Sequence, residues 1–146
     1  TDPASRRLLS WAFFLWGESF QSSHQYQKAE QAFRQSIQLH PSQLKAAEKL
    51  AWLFVTQNPE QDQRKSNALA IAERLCAITQ HKNGDYLDLL AFIQASHGQF
   101  EQAIRSMEEA QVLRADAPDS KAFKEGKNWM DHFKKHLIPD LRFESD

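Results

Sequence analysis

Cysteine is almost absent from this sequence of 146 residues, and a single cysteine, Cys76, cannot form an internal disulfide. It lies in the apolar run ALAIAERLCAIT, where a small buried thiol is far more common than a reactive nucleophile. A lone buried cysteine also says nothing of the redox compartment. Cytoplasmic and periplasmic locations therefore both agree with the sequence.

Glycine and proline are also scarce, with four and five residues respectively. The glycines are isolated, so no glycine-rich loop that could hold phosphate is present. Alanine, glutamine, leucine, lysine and glutamate dominate instead, and this mixture favours helices. A chain of this length can bury a core without disulfides or metal. We therefore predict an all-α fold, organised as one domain over residues 1–146.

An excess of charge of one sign is lacking, since 18 basic residues face 19 acidic ones and the two kinds are interspersed. Nucleic acid is therefore not an expected partner. Long apolar runs are lacking too: LLSWAFFLWG ends at Gly17, well short of the roughly 18 residues that a membrane span needs. No span is expected in this chain. Its opening, TDPASRR, lacks methionine, which we interpret as an internal start within a longer protein.

Sets of residues that would carry catalysis are missing as well. The six histidines form no His-Glu-x-x-His motif, although His132 and His136 stand four apart and could share a metal on a helix. Asp85 and Asp88 could act as paired carboxylates, but Asp85 is better explained as a cap of the helix after HKNG. We predict no enzyme, no metal and no cofactor, with a metal enzyme that uses the two histidines as the rival.

The apolar residues recur at helical spacing and divide the chain into three pairs of helices and a closing segment. The pairs cover about 8–41, 44–80 and 84–115, and the closing segment covers 119–146. In the first helix the predicted packing stripe consists of Leu9, Phe13, Trp16, Gly17 and Phe20. The stretch TQNPEQDQRKSN is predicted to be a polar connection within the second pair.

The pairs also repeat one another. Phe20 and Phe54 lie 34 residues apart, and Ala68 and Ala103 lie 35 apart. The phrase HQYQKAEQAF returns as GQFEQAIRSM, with Ala29 matched by Ala103. A period near 34 with two helices per unit is typical of stacked helical arrays.

On these residues the chain resembles the tetratricopeptide repeat (TPR) family. The first unit carries the family's pattern at Phe13, Trp16, Gly17, Phe20, Ala29, Phe33, Ser36 and Pro41. The second unit departs from it at Ala72 and Leu75, and the third at Gln94. The resemblance covers about Leu8 to Leu113, and the second unit looks like a long-jointed subtype of multidomain bacterial proteins. It implies a superhelical array, or α-solenoid, whose closing segment is a capping helix.

The resemblance also implies a function, because proteins of this family bind partners on the concave face formed by the first helix of each pair. The residues that would line this face are Trp11, Phe14, Leu15, Glu18, Glu48, Lys49, Trp52, Val55, Asp88 and Phe92. Their aromatic rings predict capture of a partner helix or peptide. A clamp for terminal carboxylates is not expected, since Lys49 is the one basic residue at the corresponding places.

Two alternatives to peptide capture stay open. The chain could be a structural or assembly domain of a larger, membrane-attached bacterial protein, or it could associate with itself through its apolar first helix. Both rest on the segment from Leu8 to Gly17, which is apolar on every side and would normally be covered.

Overall fold

The computed structural model describes residues 2–141, and this part of the chain is all α-helical, with seven helices and no strand. The predicted fold class is confirmed at this level. The helices are α1 (Pro3–Ser22), α2 (Tyr26–Leu39), α3 (Leu44–Thr56), α4 (Asp62–Ile78), α5 (Gly84–Ser96), α6 (Phe100–Leu113) and α7 (Lys121–Lys134).

The chain forms two compact units, one ending at Ile71 and the other beginning at Ala72, so that the boundary falls within α4. Unit 1 contains α1, α2, α3 and the first part of α4. Unit 2 contains the end of α4 with α5, α6 and α7. In each unit, helices adjacent in sequence pack against each other: α1 on α2 and α2 on α3, then α5 on α6 and α6 on α7.

Short polar residues cap three of the helices. Asp2 accepts a hydrogen bond from the Ser5 amide at 2.8 Å at the start of α1, and Ser120 caps α7 in the same way. The cap of α5 is Asn83, whose Oδ1 accepts from the Tyr86 amide at 3.1 Å. The prediction that Asp85 caps this helix is wrong, because Asp85 already lies inside its first turn.

The predicted polar connection TQNPEQDQRKSN is also mostly helical, because α4 begins at Asp62. Within this stretch, only the residues between Thr56 and Asp62 lie outside α3 and α4. An aspartate in the first turn interacts favourably with the helix dipole, which explains how a polar sequence starts a helix here. The consequence is that Arg64 occupies a fixed helical position.

Small residues bring α1 and α2 into close contact in unit 1. Ser10 and Ser36 are fully buried, and each hydroxyl donates to the other residue's carbonyl oxygen at 2.8 Å. One helical turn further along α1, Phe14 lies 6.0 Å from Phe33 between ring centroids. The next turn carries the buried Gly17. Ser10, Phe14 and Gly17 therefore form the packing face of α1.

This face differs from the predicted packing stripe. Gly17 belongs to both, but Leu9 is 46 % exposed and Trp16 is 53 % exposed. Phe13 and Phe20 are half-buried, so the large residues of the stripe border the contact with α2 and do not form its centre. The prediction is wrong because α1 is apolar all round, and hydrophobic spacing alone cannot then select a face. Close approach to α2 requires the small residues Ser10 and Gly17, which lie at one edge of the predicted stripe and beyond it.

We expect Gly17→Ala to destabilise the protein by about 1–2 kcal/mol, although alanine is the better helix former. A Cβ at this position would lie 2.5 to 2.9 Å from three atoms of the Phe33 ring. Urea unfolding followed by circular dichroism measures the change. On a Phe33→Leu background the ring is gone, and Gly17→Ala should then be neutral or stabilising. An equal penalty on both backgrounds would contradict this contact.

The hairpin α1–α2 recurs as α5–α6 at a constant offset of 74 residues. The buried residues of α2 and α6 correspond one for one: Ala29, Ala32, Phe33 and Ser36 match Ala103, Ser106, Met107 and Ala110. The turns correspond as well. His24 and Gly98 both have positive φ, 61° and 76°, and the following amide donates to a carbonyl five residues back at 2.8 Å in both turns. The chain therefore builds the same hairpin twice.

One difference between the two hairpins is compensated locally. Gln94 stands where the first hairpin has Phe20, and Ser106 stands where it has Ala32. The Ser106 hydroxyl donates to Gln94 Oε1 at 2.7 Å. The hydrogen-bonded pair Gln94 and Ser106 thus takes the positions that Phe20 and Ala32 hold in the first hairpin.

Helix α7 covers one side of α6 in unit 2. Its buried residues are Gly126, Trp129 and Phe133, which recur at helical spacing, whereas Leu137 lies beyond the end of the helix and is exposed. Gly126 lies within α7 and packs against the side chain of Gln111. The Gln111 amide in turn donates to the Phe123 carbonyl at 2.8 Å, so this glycine marks a close contact.

Candidate interaction surface

The side of α1 that points away from α2 is apolar and exposed. We call this surface the outer α1 face, and its large residues are Leu8, Leu9, Trp11, Leu15 and Trp16. Their exposed fractions run from 43 % for Trp11 to 72 % for Leu8. No charged residue lies between Arg7 and Glu18. Scattered apolar residues are normal on a protein surface, but five on one helical face form a patch of the kind that marks an interaction site.

Within unit 1 the predicted interface residues of α1 and α3 divide into accessible and buried groups. Trp11 and Leu15 are exposed, and Glu18 is partly exposed. Phe14 and Val55 are buried, at 5 % and 3 % exposure. These two cannot contact a partner directly in this structure. Phe14 is instead a core residue that packs against Phe33.

Charged residues connect the accessible part of α1 with α3. Lys49 Nζ lies 3.8 Å from Glu18 Oε1, and Lys45 Nζ lies 6.0 Å from the centre of the Trp11 ring. Glu48 and Trp52 also lie on α3 and are half-buried. The structure thus brings Glu18 and Lys49 together as a partly exposed ion pair, which contributes little to stability. It places their charges at the edge of the outer α1 face.

In unit 2 the predicted interface residues contact other parts of the chain. Both oxygens of Asp88 accept hydrogen bonds from Arg114, at 2.9 and 2.8 Å. Burial raises the pKa of Asp88, and the Arg114 guanidinium opposes that rise. Phe92 is 5 % exposed, and its ring lies 5.6 Å from that of Trp129. The prediction that Phe92 presents an open aromatic surface is wrong, because α7 covers it.

A cluster around Arg64 in unit 1 was not predicted from the sequence. The Arg64 guanidinium lies 4.9 Å from the centre of the Phe54 ring, pairs with Glu30 at 3.1 Å and donates to the Gln57 carbonyl at 3.2 Å. It therefore ties the start of α4 to α2 and to the end of α3. A signal was present: Glu30 and Arg64 are opposite charges separated by 34 residues, which is the repeat period.

The histidine pair predicted as a rival metal site does not share a helix. His132 lies in α7, where its Nδ1 is 2.8 Å from the Asn128 carbonyl oxygen, but α7 ends at Lys134. His136 follows with a positive φ of 56° and stacks on the Phe100 ring at 4.9 Å. Across residues 2–141 no group of three histidine, cysteine or acidic side chains could hold a metal ion.

Cys76 is buried, as predicted, and its Sγ lies 3.5 Å from the Tyr86 carbonyl oxygen. Loss of hydration, together with the nearby Glu109 and Glu73, raises the pKa of the thiol to about 11. A nucleophilic cysteine requires the thiolate, and this thiol stays protonated at neutral pH.

None of the helices found in residues 2–141 combines the length and the apolar character needed to cross a membrane. No protein-family model matches the chain, and no curated protein matches it.

Proposed function

We propose that this chain is a non-catalytic protein-interaction domain of the TPR type, which binds a partner helix or peptide through the outer α1 face. The observation that carries the proposal is the concentration of exposed Leu and Trp side chains on that one helix. Trp side chains supply large apolar contact area at interfaces, and apolar neighbours such as Leu exclude water around them.

Two features support the repeat-array part of the proposal. The hairpins α1–α2 and α5–α6 share their buried residues and their turn geometry at an offset of 74 residues, which agrees with two units of about 34 plus a longer joint. Helix α7 adds a polar outer side at one end of unit 2, as a capping helix of an array does. In this proposal α7 is such a cap.

The binding mode follows from which residues are accessible. Trp11 and Leu15 are the anchors, and the Glu18–Lys49 pair at the edge sets the orientation of the bound segment. Phe14 supports the anchors from below, since its ring contacts that of Trp11 edge-on at 5.5 Å. The accessible side of α3, with Glu48 and Trp52, extends the same surface.

Affinity capture from an extract of the source organism tests this proposal. We expect Leu15→Glu to reduce the recovery of specifically bound protein at least tenfold, because it places a charge at the centre of the apolar patch. Trp52→Ala should reduce recovery less. The matched control is Val112→Glu, which changes a residue on α6 that is 76 % exposed and should leave recovery unchanged.

Circular dichroism of each variant must show wild-type helix content, so that lost binding reports on the surface. If Leu15→Glu and the wild type capture the same proteins in the same amounts, the outer α1 face is not the binding surface and the proposal fails.

A further inference from the structure

The outer α1 face is complementary to itself. We infer that its partner is a second copy of this chain, bound so that the two α1 helices cross in antiparallel fashion with Ala12 at the two-fold axis. The inference rests on the proposed function, because it takes the outer α1 face as the binding surface and names its occupant.

The spacing of residues along α1 favours contact with a second helix. Leu8 and Leu15 are separated by seven residues, and the small residues Ser5, Ala12 and Ser19 repeat at the same interval. A seven-residue repeat keeps a seam nearly straight along a helix, which is the requirement for packing against another helix. The seam lies opposite Ser10 and Gly17, the residues that pack on α2, so a second helix can dock without disturbing unit 1.

The shape of the outer α1 face also fits a second copy of α1. Ala12 lies between Leu8 and Leu15 along the seam and is half-buried, so a second helix can reach it only by close approach. The distance between two packed helices depends on the size of the residues at the contact point. Two alanines on the axis allow a close approach, and the leucines and Trp16 of each copy then pack on both sides of the crossing.

The charges beside the seam favour the antiparallel orientation. Arg7 precedes Ala12 by five residues, and Glu18 follows it by six. Both lie on the same flank of the seam, so an antiparallel crossing brings Arg7 of one copy next to Glu18 of the other. A parallel two-fold pair would place the charged flanks of the two copies on opposite sides of the seam, where Arg7 could not meet Glu18. The Glu18 side chain is 41 % exposed and lies 3.8 Å from Lys49, which leaves room for a second cation.

The exposed apolar area is close to what a specific dimer needs. The five large residues of the outer α1 face expose on the order of 500 Å² per copy, judged from their exposed fractions and the usual areas of Trp and Leu. Two copies would bury roughly 1,000 Å², which is about the minimum for a specific interface. Contacts of the flanking residues Ser5, Arg7 and Glu18 would increase this buried area. The interface predicts a dimer that dissociates on dilution.

A lipid surface fits these observations less well. Helices that lie in a membrane interface carry a face rich in lysine and arginine opposite their apolar face. The side of α1 opposite Leu8 and Leu15 is instead buried against α2. The acidic Glu18 at one end would also be repelled by anionic headgroups.

Analytical ultracentrifugation of the full chain over a hundredfold range of concentration tests the inference. We expect the wild type to change from monomer to dimer, and Leu15→Glu to weaken dimerisation at least tenfold. Arg7→Glu should also weaken it, and Arg7→Glu combined with Glu18→Arg should restore it in part. Val112→Glu, the exposed control on α6, should dimerise as the wild type does.

Disulfide trapping tests the orientation, with native Cys76 left in place because it is 1 % exposed. Under mild oxidation Ala12→Cys should form a covalent dimer. Ser5→Cys alone should not, but an equal mixture of Ser5→Cys and Ser19→Cys should cross-link. Covalent dimers of Ser5→Cys alone would show a parallel pair and overturn the antiparallel crossing. A wild type that stays monomeric at all concentrations would overturn the dimer itself.

The two proposals can fail separately. If the wild type is monomeric but Leu15→Glu still loses a captured protein, the dimer is wrong and the proposed function stands. If the wild type is monomeric and Leu15→Glu loses nothing, both are wrong. If the monomer binds vesicles of phosphatidylcholine and phosphatidylglycerol and Leu15→Glu does not, the outer α1 face binds lipid. The dimer is then overturned.

Discussion

Phe14→Glu is expected to remove most of the stability of unit 1, with loss of helical circular dichroism at room temperature. Loss of a buried phenylalanine costs about 3–5 kcal/mol, and a carboxylate held in the same site adds a desolvation penalty. Phe14 is 5 % exposed and packs between Trp11 and Phe33. Since domains of this size are stable by only about 5–15 kcal/mol, the variant should be largely unfolded or near its midpoint.

The adjacent substitution Leu15→Glu is the matched control, since it introduces the same charge one position along α1. Leu15 is 57 % exposed, and leucine and glutamate have similar helix propensities, so its stability should change by no more than about 0.5 kcal/mol. Urea titrations of both variants, followed by circular dichroism, measure the two free energies of unfolding. Equal stability of the two variants would mean that α1 is rotated about its axis relative to the structure described.

Much of unit 1 could be predicted from the sequence because its signals are local. Helix α2 runs from Tyr26 to Leu39, inside the first predicted pair, and its repeat-pattern residues Ala29, Phe33 and Ser36 are buried. The cap at Asp2 and the boundary near Pro41 follow from the chemistry of single residues. Such signals do not depend on what the helix packs against.

The orientation of α1 could not be predicted, because a helix that is apolar on all sides carries no directional signal. Its packing face is selected by complementarity, with Ser10 opposite Ser36 and Gly17 opposite the Phe33 ring. That information becomes usable only once the partner helix is in position. The site prediction therefore included Phe14, which faces the core, and omitted Leu8 and Trp16, which face solvent.

Long-range pairing explains the errors in unit 2. Phe92 meets Trp129, which lies 37 residues further along, and Asp88 meets Arg114, which lies 26 residues further. Neither contact has a local sequence signal. A residue that sequence reasoning assigns to an open surface can thus be covered by a distant helix of the same chain. The outer α1 face stands apart, since no described residue covers Leu8, Leu15 or Trp16 to that extent.

The second large effect is expected at Arg114, the residue that follows α6. Arg114→Met should destabilise the protein by about 2–4 kcal/mol at pH 7, because it leaves the Asp88 carboxylate partly buried without a cation. The side chains of Arg114 and Asp88 are 12 % and 22 % exposed. Arg114 also bonds Asp85 at 3.2 Å, so a single guanidinium ties the end of α6 to the first turns of α5.

The loss of stability caused by Arg114→Met should depend on pH. Burial already raises the pKa of Asp88, and removal of Arg114 would raise it further. A carboxyl group whose folded-state pKa is raised favours the folded state when it is protonated. The penalty of Arg114→Met should therefore be largest at neutral pH and should shrink as the pH falls through the raised pKa of Asp88. Urea unfolding at pH 7 and at lower pH measures it.

A double-mutant cycle with Asp88→Asn separates the ion pair from the packing of the long side chain. On the Asp88→Asn background Arg114→Met should cost much less, because no charge is left without its partner. Arg114→Lys keeps the charge but lacks the planar fork that bonds both Asp88 oxygens, so it should be intermediate. If Arg114→Met is as stable as the wild type at pH 7, Asp88 does not depend on Arg114, and the argument that this pair belongs to the structure of unit 2 is wrong.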